Sequence, residues 1–364
     1  MPFDVRFRRR LRWARLRRWE FWPWPLFYAP VVLYWLYLSV RARSLTFFTA
    51  ANPGMTNGGF VAYSKWAVLQ HFPTHLRPRT FAFRADRFSA DELLVQMSRR
   101  DFSFPIVLKP DVGERGEGVA RVGDVAALRT YLDRLGGATH TLLMQSFVDL
   151  PLEFGVMYHR TPGATRGHVT SVVRKETLHV RGDGRRTLGE LVRNHPRAWL
   201  YHDLFRRAHR ERWDEVPTTG ARWPLGDLGN HCRGATFFDA GALISPELEG
   251  SFDRISGDVP GFHFGRYDVM AASEAALCAG QVQVLELNGA NSEPAHIYDP
   301  DMPLLSAYRH LFGHWRRLYH IARANHRRGI PYVPALLLVR RLRAHFRGER
   351  PATPSEAAPA VRSA

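Results

Sequence analysis

The residues best suited to chemistry surround a glycine-rich loop in the first third of the chain. The apolar run at 106–108 predicts a buried strand, and Lys109 and Pro110 end it. After them come Gly113, Gly116 and Gly118, with Glu114, Arg115 and Glu117 between them. Glycines let a backbone approach a ligand closely and adopt positive φ, and successive N–H groups in such a loop can bind an anion. The sequence therefore indicates an anion-binding loop, with an ordinary glycine-rich hairpin as the alternative.

Lysine is rare in this chain, which has three lysines (Lys65, Lys109 and Lys175) against 48 arginines. Compositional drift is one explanation, and a requirement for a compact, strongly hydrated ammonium is the other. Because Lys109 lies at the mouth of the glycine loop, we favour the second explanation there. Lys65 is close to the start of a predicted helix, where it could hold a substrate carboxylate or phosphate, or could simply be solvated. The loop is neither a Walker loop nor a dinucleotide fingerprint, because no Gly-Lys-[Ser/Thr] and no helix follows it.

A set of oxygen-bearing side chains lies further along the chain. The strand predicted to end at Asn288 alternates with period 2, which places Val282, Val284, Glu286 and Asn288 on one face. Asp268 belongs to a neighbouring predicted strand. A lone acidic residue in a strand is usually at the surface, but burying an unpaired carboxylate is costly. The oxygen ligands Asp268, Glu286 and Asn288 would suit a Mg²⁺ ion that bridges phosphate oxygens.

Length, charge and cysteine content narrow the class of protein. A chain of 364 residues can bury a substantial core and form two or three compact units. The net charge of +17 indicates an anionic partner, with membrane and nucleic acid as the usual candidates. Cys232 and Cys278 provide neither a disulfide framework nor metal-ligand spacing, which fits a reducing compartment where ATP is available.

An arginine-rich and aromatic arm occupies residues 1–43. Residues 1–18 contain eight arginines, and no charged residue occurs from Phe21 to Val40. This apolar run is long enough to span a bilayer, but its three prolines and the arginines at both ends disfavour a single pass. We expect an interfacial or re-entrant anchor on anionic lipid, with a true span and a helix packed on the protein as alternatives. The apolar run has no use in nucleic-acid binding, so we expect no nucleic-acid partner.

The rest of the chain divides into a small α/β unit at 44–100, a larger domain at 101–330 and a C-terminal segment at 331–364. The predicted strands are 44–51, 80–83, 106–108, 141–148, 154–159, 169–176 and 282–288. The predicted helices are 89–100 with Ser89 as N-cap, 125–135, one capped by Thr187, 303–325 and a basic helix at 334–346. We expect the tail from 348 to 364 to be disordered. The sequence pattern does not reveal what residues 197–260 do.

Taken in order, these motifs resemble the ATP-grasp superfamily, and within it the carboxylate–amine ligases such as D-alanine–D-alanine ligase. The resemblance is carried by Val107-Leu-Lys-Pro110, the glycine loop, the segment from Leu143 to Glu153, the strand with Lys175, Gly265-Arg-Tyr-Asp-Val-Met270 and Leu285-Glu-Leu-Asn288. The turn at Gly182-Asp-Gly184 also resembles amino-acid ligases such as cyanophycin synthetase. The resemblance implies an α/β (α+β) fold in which two α+β subdomains clasp ATP, preceded by the small α/β unit and the arm.

The resemblance also implies a role for each matching residue. Lys109 and Lys175 would hold the ATP phosphates, and the loop with Gly113, Arg115, Gly116 and Gly118 would close over them. Gln145, Phe147 and Val148 would line the adenine pocket, and Glu153 would bind the ribose hydroxyls. Asp268, Glu286 and Asn288 would bind one or two Mg²⁺ ions. Arg266 would stabilise the transferring phosphoryl group or the tetrahedral intermediate. Lys65 lies outside the resemblance, and we expect it to be a second catalytic residue because of its place near a helix start.

The implied reaction is an ATP- and Mg²⁺-dependent ligation, in which a carboxylate forms an acyl phosphate and an amine then displaces phosphate. The alternatives are an ATP-grasp kinase that phosphorylates a small molecule and a membrane-docked ATP-binding protein without turnover. The sequence after Asn288 departs from that of D-alanine–D-alanine ligase, so Ser292, Glu293 and His296 are candidates for binding a different substrate. Given the arm, we expect a small-molecule or lipid-linked carboxylate, an amine acceptor, and a cytoplasmic enzyme at the inner face of an anionic membrane.

Overall fold

A computed structural model of the chain describes residues 2–113, 116–136, 140–226 and 234–347. Two of the predictions concern residues outside these ranges. They are the role of Arg115 in the glycine loop and the disorder of the tail from 348 to 364. Two antiparallel sheets, of four and five strands, form the centre of the molecule, with a two-stranded ribbon in addition. The mixed α/β class expected from the sequence is confirmed.

The described part of the chain contains eleven strands and eleven α-helices. The strands are β1 (Thr80–Arg84), β2 (Ile106–Pro110), β3 (Ala120–Val122), β4 (Thr141–Ser146), β5 (Leu152–His159), β6 (His168–Glu176), β7 (His179–Arg181), β8 (Arg222–Pro224), β9 (Thr236–Asp239), β10 (Phe264–Ala271) and β11 (Val282–Asn288). The helices are α1 (Pro2–Arg17), α2 (Trp24–Ala42), α3 (Lys65–Leu69), α4 (Ala90–Arg99), α5 (Val125–Leu135), α6 (Leu188–Asn194), α7 (His202–Ala208), α8 (Pro246–Gly257), α9 (Glu274–Cys278), α10 (Leu304–Arg327) and α11 (Ala335–Phe346). The predicted strands after residue 80 and the predicted helices are confirmed, and their ends agree closely.

The four-stranded sheet has the order β1-β4-β2-β3, and each neighbouring pair is antiparallel. Helices α4 and α5 pack on it and bury Leu93 and Leu128 completely. α4 begins at a capping box, in which the Ser89 side chain accepts from the Glu92 N–H and Glu92 accepts from the Ser89 N–H. Two backbone donors that a helix start leaves open are thereby satisfied. The predicted N-cap is confirmed.

The five-stranded sheet has the order β11-β10-β5-β6-β9. β5 follows β4 directly, so the short connection at 147–151 joins the two sheets. One face of the five-stranded sheet is apolar, where Phe154, Tyr267 and Val269 pack with Phe252 of α8. Because side chains alternate across a strand, the residues between these positions point to the other face. That second face, called the polar face below, carries charged side chains on β5, β6 and β10 beside apolar ones such as Met157 and Val173.

The aromatic arm is helical and packs on the rest of the protein. α2 lies against α10, where Phe27 and Val31 are buried with Leu311. α1 contacts the region after α6, because Leu11 is buried there and the Arg15 guanidinium donates to the Leu200 carbonyl at 2.6 Å. No helix in the described part of the chain is long and apolar enough to cross a membrane. The arm therefore packs on the protein, as one of the three arrangements considered for it has it, and the interfacial anchor stays a prediction.

The predicted strand at 44–51 is wrong. The segment contains a 3₁₀ turn, Phe47–Ala50, which is buried against α10. The Asn325 side chain donates to the carbonyls of Ala50 and Ala51 at 2.9 and 3.0 Å, so these groups have partners outside any sheet. A short apolar run has the composition of a buried strand, and in this case only the packing against α10 decides otherwise.

Candidate active site

The polar face of the five-stranded sheet carries a cluster of buried charges. Lys175 on β6, Glu153 on β5 and Asp268 on β10 meet at the centre of this face. Lys175 Nζ lies 2.9 Å from Glu153 Oε1 and 2.9 Å from Asp268 Oδ1. Only 6% of the Lys175 side chain is exposed. The sheet thus brings together residues whose predicted partners were a ribose, a phosphate and a metal ion.

Gly155 leaves the space that this cluster occupies. It lies opposite Asp268 in the pairing of β5 with β10. A Cβ atom at Gly155 would be 2.8 Å from Val173 Cγ1 and 3.3 Å from Arg266 Cδ. The first distance is too short for a carbon–carbon contact, so a side chain there would displace its neighbours. Gly155 was not predicted as a site residue, because no motif in the linear sequence distinguishes it.

Asp268 is held by cations and by an amide. Arg266 Nε donates to Asp268 Oδ1 at 3.1 Å, and the Asn288 amide donates to Asp268 Oδ2 at 3.1 Å. Burial alone would raise the pKa of Asp268, but Arg266 and Lys175 outweigh this effect and hold the pKa at about 2. Burial likewise favours the neutral form of Lys175, yet Asp268 and Glu153 raise its pKa above the ordinary value. Both partners therefore stay charged at neutral pH.

Lys109 brings a cation from the four-stranded sheet to the same place. It lies near the end of β2, and its Nζ donates to the Leu285 carbonyl of β11 at 3.1 Å. Burial lowers the pKa of Lys109 to about 8 against the attraction of Glu286, and Lys65 contributes to the decrease. A buried ammonium with a lowered pKa beside a second ammonium is typical of a functional site. The predicted position of Lys109 at a ligand site is thus supported by its surroundings.

Lys65 is the first residue of α3 and connects the glycine loop with Glu286. Its Nζ donates to the Gly113 carbonyl and lies 3.7 Å from Glu286 Oε1. Asp111 fixes the start of α3, because its side chain accepts from the Trp66 N–H at 2.8 Å. Only 7% of Lys65 is exposed, so the solvated alternative for this lysine is wrong. Asp111 itself was not predicted, since it follows Pro110 in the loop without a motif of its own.

The described part of the glycine loop has the backbone that its composition predicts. Gly116 and Gly118 have φ values of 71° and 69°, which L side chains rarely adopt. A Cβ atom at Gly118 would also lie 2.8 Å from Pro110 Cγ. Glycine is therefore required at Gly118 for two independent reasons.

A β-bulge changes the face to which Glu286 points. The adjacent residues Asp268 and Val269 of β10 oppose Glu286 and Val284 of β11, so β11 has one extra residue there. An extra residue reverses the alternation of side chains beyond it. Val282 and Val284 therefore lie in the apolar core, whereas Glu286 turns to the polar face. The prediction that the two valines share a face with Glu286 is wrong.

The oxygen ligands predicted for Mg²⁺ lie on facing positions of β10 and β11. Asp268 is opposite Glu286, and Asn288 Oδ1 accepts from the Tyr63 hydroxyl at 3.0 Å. Two carboxylates and an amide oxygen fit Mg²⁺, which proteins bind through one or two carboxylates with water and substrate phosphates. The described residues contain no group of three or more His, Cys, Asp or Glu that could hold a metal ion. Water and substrate phosphates would complete the coordination of such an ion.

The predicted adenine-binding residues lie where the two sheets join. Gln145 is in β4, and its side chain donates to the Thr80 hydroxyl at 3.0 Å, so it is used within the sheet. Phe147 follows β4, and the Arg121 guanidinium lies 4.4 Å from its ring centroid. Val148 belongs to the connection that leads to β5. Adenine binding by these residues stays a prediction, and for Gln145 it would depend on the backbone.

A cluster beyond Asn288 contains two residues that the sequence analysis missed, Tyr28 and Tyr298. The Glu293 carboxylate accepts from Tyr28 of α2 at 2.7 Å and from Tyr298 at 3.0 Å. The Glu293 backbone carbonyl accepts from Arg266 Nη1 at 3.3 Å. Burial and the Glu293 carboxylate raise the pKa of Tyr28, so its hydroxyl stays protonated and can donate. Tyr28 was missed because 265 positions separate it from Glu293 and no motif marks it.

Ser292 and His296 lie at the same end of the site and are buried. His296 Nδ1 is 2.6 Å from the Ser171 hydroxyl of β6, and the Ser292 hydroxyl is 3.7 Å from the Met157 sulfur of β5. Burial lowers the pKa of His296 to about 4, so the ring is neutral at neutral pH. These two residues close the end of the site, and Glu293 is the charged member of the predicted substrate set.

No protein-family model matches the chain, and no curated protein sequence does. Similar solved structures include a bifunctional glutathione synthetase from Pasteurella multocida (TM-score 0.36, 13% identity), VanG D-Ala:D-Ser ligase from Enterococcus faecalis (0.42, 12%) and D-alanine–D-alanine ligase from Bacillus anthracis (0.37, 11%). The alignments cover 68%, 73% and 72% of this chain and 36%, 64% and 67% of those chains, respectively. This chain thus spans less than two thirds of the length of the first two of these proteins.

Proposed function

We propose that the protein is an ATP- and Mg²⁺-dependent ligase that activates a carboxylate as an acyl phosphate and joins it to an amine. The observation that supports this most is the convergence of four cations, from both sheets and α3, on the facing carboxylates of Asp268 and Glu286. The cations are Lys65, Lys109, Lys175 and Arg266. So many cations around two metal-binding carboxylates suit a polyanion that is bound with a metal ion, and Mg·ATP has this chemistry.

In this proposal Lys109 and Lys175 bind phosphate oxygens, and the N–H groups of the glycine loop lie over the phosphates. Lys109 is charged at neutral pH because its pKa, though lowered, is about 8. The connection between the sheets, with Phe147 and Val148, contacts the adenine. Glu153 accepts hydrogen bonds from the ribose.

Asp268, Glu286 and Asn288 would hold one or two Mg²⁺ ions, which would neutralise phosphate charge and polarise the γ-phosphate. Glu286 suits this role, because 27% of its side chain is exposed and its ion pair with Lys65 is long, at 3.7 Å. Asp268 would exchange part of its contact with Arg266 for the metal ion. Its low pKa of about 2 keeps it ionised for binding.

Arg266 would stabilise the negative charge that develops in both steps of the reaction. In the first step a carboxylate oxygen bonds to the γ-phosphorus, the bond to the β–γ bridging oxygen breaks, and ADP leaves. In the second step the amine nitrogen bonds to the acyl carbon, the bond to the phosphate oxygen breaks, and phosphate and a proton leave. Arg266 contacts both Asp268 and the Glu293 carbonyl, so it lies between the metal ligands and the predicted substrate residues.

The second substrate would bind at the end of the site that Glu293 and Tyr28 form. The Glu293 carboxylate suits an amine acceptor, whereas the guanidinium of Arg266 suits a carboxylate. The carboxylate is either a small molecule or lipid-linked. Because the arm exposes apolar side chains such as Leu33 and Val40, we place the enzyme at the cytoplasmic face of a membrane, where ATP is present.

Calorimetry of Mg·ATP binding tests the proposal. Lys109→Ala and Glu286→Ala each remove a charged contact, and we expect binding to weaken about 30-fold in each variant. Arg99→Ala and Glu247→Ala change exposed residues outside the site and should bind like the wild-type protein. A wild-type protein that binds no Mg·ATP would overturn the proposal.

Hydroxylamine distinguishes a ligase from a kinase. With Mg·ATP and a carboxylate substrate, an acyl phosphate would be trapped as a hydroxamate, and ADP would appear in equal amount. A phosphorylated alcohol would yield ADP but no hydroxamate, which would favour the kinase. Carboxylates and amines can first be screened for the release of ADP.

A further inference from the structure

A groove between α2 and α10 combines an apolar floor with a cationic rim. Its volume is about 460 Å³. Tyr34 of α2 lines it together with Leu305, Tyr308 and Phe312 of α10, and Arg309 and Arg316 lie along its edge. None of the residues that line it is acidic. The groove is therefore suited to a ligand with an apolar part and a negative charge.

The groove and the candidate active site lie on different sides of α2. Tyr34 faces the groove, whereas Tyr28 donates to Glu293. Six residues separate the two tyrosines, which corresponds to roughly 120° around a helix of about 3.6 residues per turn. A ligand in the groove would thus bind apart from Mg·ATP and its metal ligands.

An exposed apolar strip continues from the groove along α2. Leu26, Leu33, Tyr37 and Val40 follow helical spacing on one face, and Val40 is 78% exposed. Leu305, at the start of α10, is also 78% exposed. Monomeric proteins rarely expose contiguous apolar surface of this kind unless it contacts a partner or a membrane. The strip indicates that the face formed by α2 and α10 binds something that covers it.

The charges beside the strip identify an anionic partner. Arg309 and Arg316 are both exposed and seven residues apart on α10, about 10 Å along the helix. Within the described part of the chain, no carboxylate forms an ion pair with either arginine. The Arg41 guanidinium lies 5.8 Å from the Tyr37 ring centroid, so another cation borders the strip. The chain as a whole carries a net charge of +17.

We propose that the groove binds the headgroup of an anionic phospholipid and that the strip lies in the interfacial layer of the bilayer. Arg309 and Arg316 would pair with phosphodiester oxygens, because guanidinium groups bind phosphate in two-pronged contacts. Tyr34 and Tyr37 would lie at headgroup level, the depth that tyrosine prefers. α2 would then lie parallel to the membrane surface, in the manner of an interfacial helix. A nucleic acid would leave the apolar strip uncovered.

Co-sedimentation of the full chain with lipid vesicles tests this site. We expect wild-type protein to bind vesicles of phosphatidylcholine with phosphatidylglycerol more tightly than vesicles of phosphatidylcholine alone. The double variant Arg309→Gln/Arg316→Gln should bind the anionic vesicles about 30-fold more weakly, since each arginine near a membrane surface contributes roughly five- to sixfold. Leu33→Asn/Leu305→Asn should weaken binding to both kinds of vesicle, because it removes apolar area from the strip.

A matched control variant loses two positive charges outside the groove. Arg99→Gln/Arg134→Gln removes two exposed arginines from α4 and α5, and it should bind vesicles almost like the wild-type protein. Equal weakening in the two arginine pairs would assign binding to net charge and overturn the groove. Wild-type-like binding by Arg309→Gln/Arg316→Gln, or no binding by the wild-type protein, would also overturn it.

Mg·ATP affinity, measured on the same preparations, separates this inference from the proposed function. Variants of the groove should keep the wild-type affinity for Mg·ATP, which also shows that they are folded. If the wild-type protein bound no Mg·ATP, the ligase proposal would fail while the vesicle results would still decide the lipid site. A reduced Mg·ATP affinity in Arg309→Gln/Arg316→Gln would contradict the separation of the two sites.

Discussion

The four-stranded and five-stranded sheets differ in where they keep charged side chains. The four-stranded sheet packs Leu108 and Met144 under its helices and contributes Lys109 to the site. The five-stranded sheet has an equally apolar face, but its other face holds the buried pair of Lys175 and Asp268. Replacing a buried ion pair by apolar residues is often neutral or stabilising. Folding alone therefore does not require these charges, and their retention points to ligand binding.

Breaking the buried pair should have the largest effect on stability. Lys175→Met leaves Glu153 and Asp268 with one cation fewer, and we expect the free energy of unfolding to fall by about 3 to 5 kcal/mol. Arg174→Met is the matched control, because the neighbouring Arg174 is 37% exposed and pairs with Glu176 at the surface. Its expected loss is about 1 kcal/mol or less. Urea unfolding measures both, and equal losses would remove the distinction between the two faces.

Filling the space at Gly155 should have a smaller effect on stability but a clear one on binding. Gly155→Ala would press on Val173 and Arg266, and we expect a loss of about 1 to 3 kcal/mol together with weaker Mg·ATP binding. Gly123→Ala is the control, since a Cβ atom at Gly123 has no neighbour within 4 Å. Thermal unfolding and calorimetry of both variants provide the comparison. If Gly155→Ala bound Mg·ATP with wild-type affinity, the charged cluster on the polar face would not depend on the space that Gly155 leaves.

The lysine of the four-stranded sheet should make Mg·ATP binding depend on pH. Lys109 is protonated below its pKa of about 8 and neutral above it, so its attraction for phosphate is lost as the pH rises. From pH 7 to pH 9 we expect affinity to fall by up to about tenfold. In Lys109→Arg the side chain stays charged from pH 7 to pH 9. The affinity of this variant for Mg·ATP should therefore lack the fall that the wild-type protein shows. A wild-type affinity that is constant from pH 7 to pH 9 would contradict the assignment.

The smallest expected effect belongs to the helices that cover the four-stranded sheet. Ser89→Ala removes the N-cap of α4, and we expect a loss of about 1 kcal/mol of stability with no change in Mg·ATP affinity. Ser98→Ala, on the exposed surface of the same helix, should alter stability by less than about 0.5 kcal/mol. Chemical unfolding measures both variants. A change in nucleotide affinity in Ser89→Ala would show that the two sheets are more strongly coupled than we propose.

Local patterns in the sequence were sufficient for most elements of the fold. The helix predicted at 125–135 is Val125–Leu135 in the structure. Ser89 and Thr187 marked helix starts because capping depends on residues three positions apart. The place of Lys109 near the end of β2 could likewise be predicted, because the apolar run before it is visible in the linear sequence.

The errors occurred where the outcome depends on distant parts of the chain. The bulge between β10 and β11 follows from their pairing register, which the period-2 pattern of Val282 to Asn288 does not contain. The turn at Phe47–Ala50 depends on Asn325, far along the chain. Gly155 and Tyr28 could not be recognised because their roles are defined by space and by a contact with a remote residue.

The two edges of α2 have a consequence for how this protein can evolve. One edge carries Tyr34 and the groove, and the other carries Tyr28, which holds the Glu293 side chain. Under the two proposals, a substitution that tilts or shifts α2 would alter membrane attachment and substrate preference together, whereas a substitution of one side chain in the groove would alter attachment alone. A shortened chain that begins at Ser44 would lack Tyr28, so we expect its substrate preference to differ from that of the full chain.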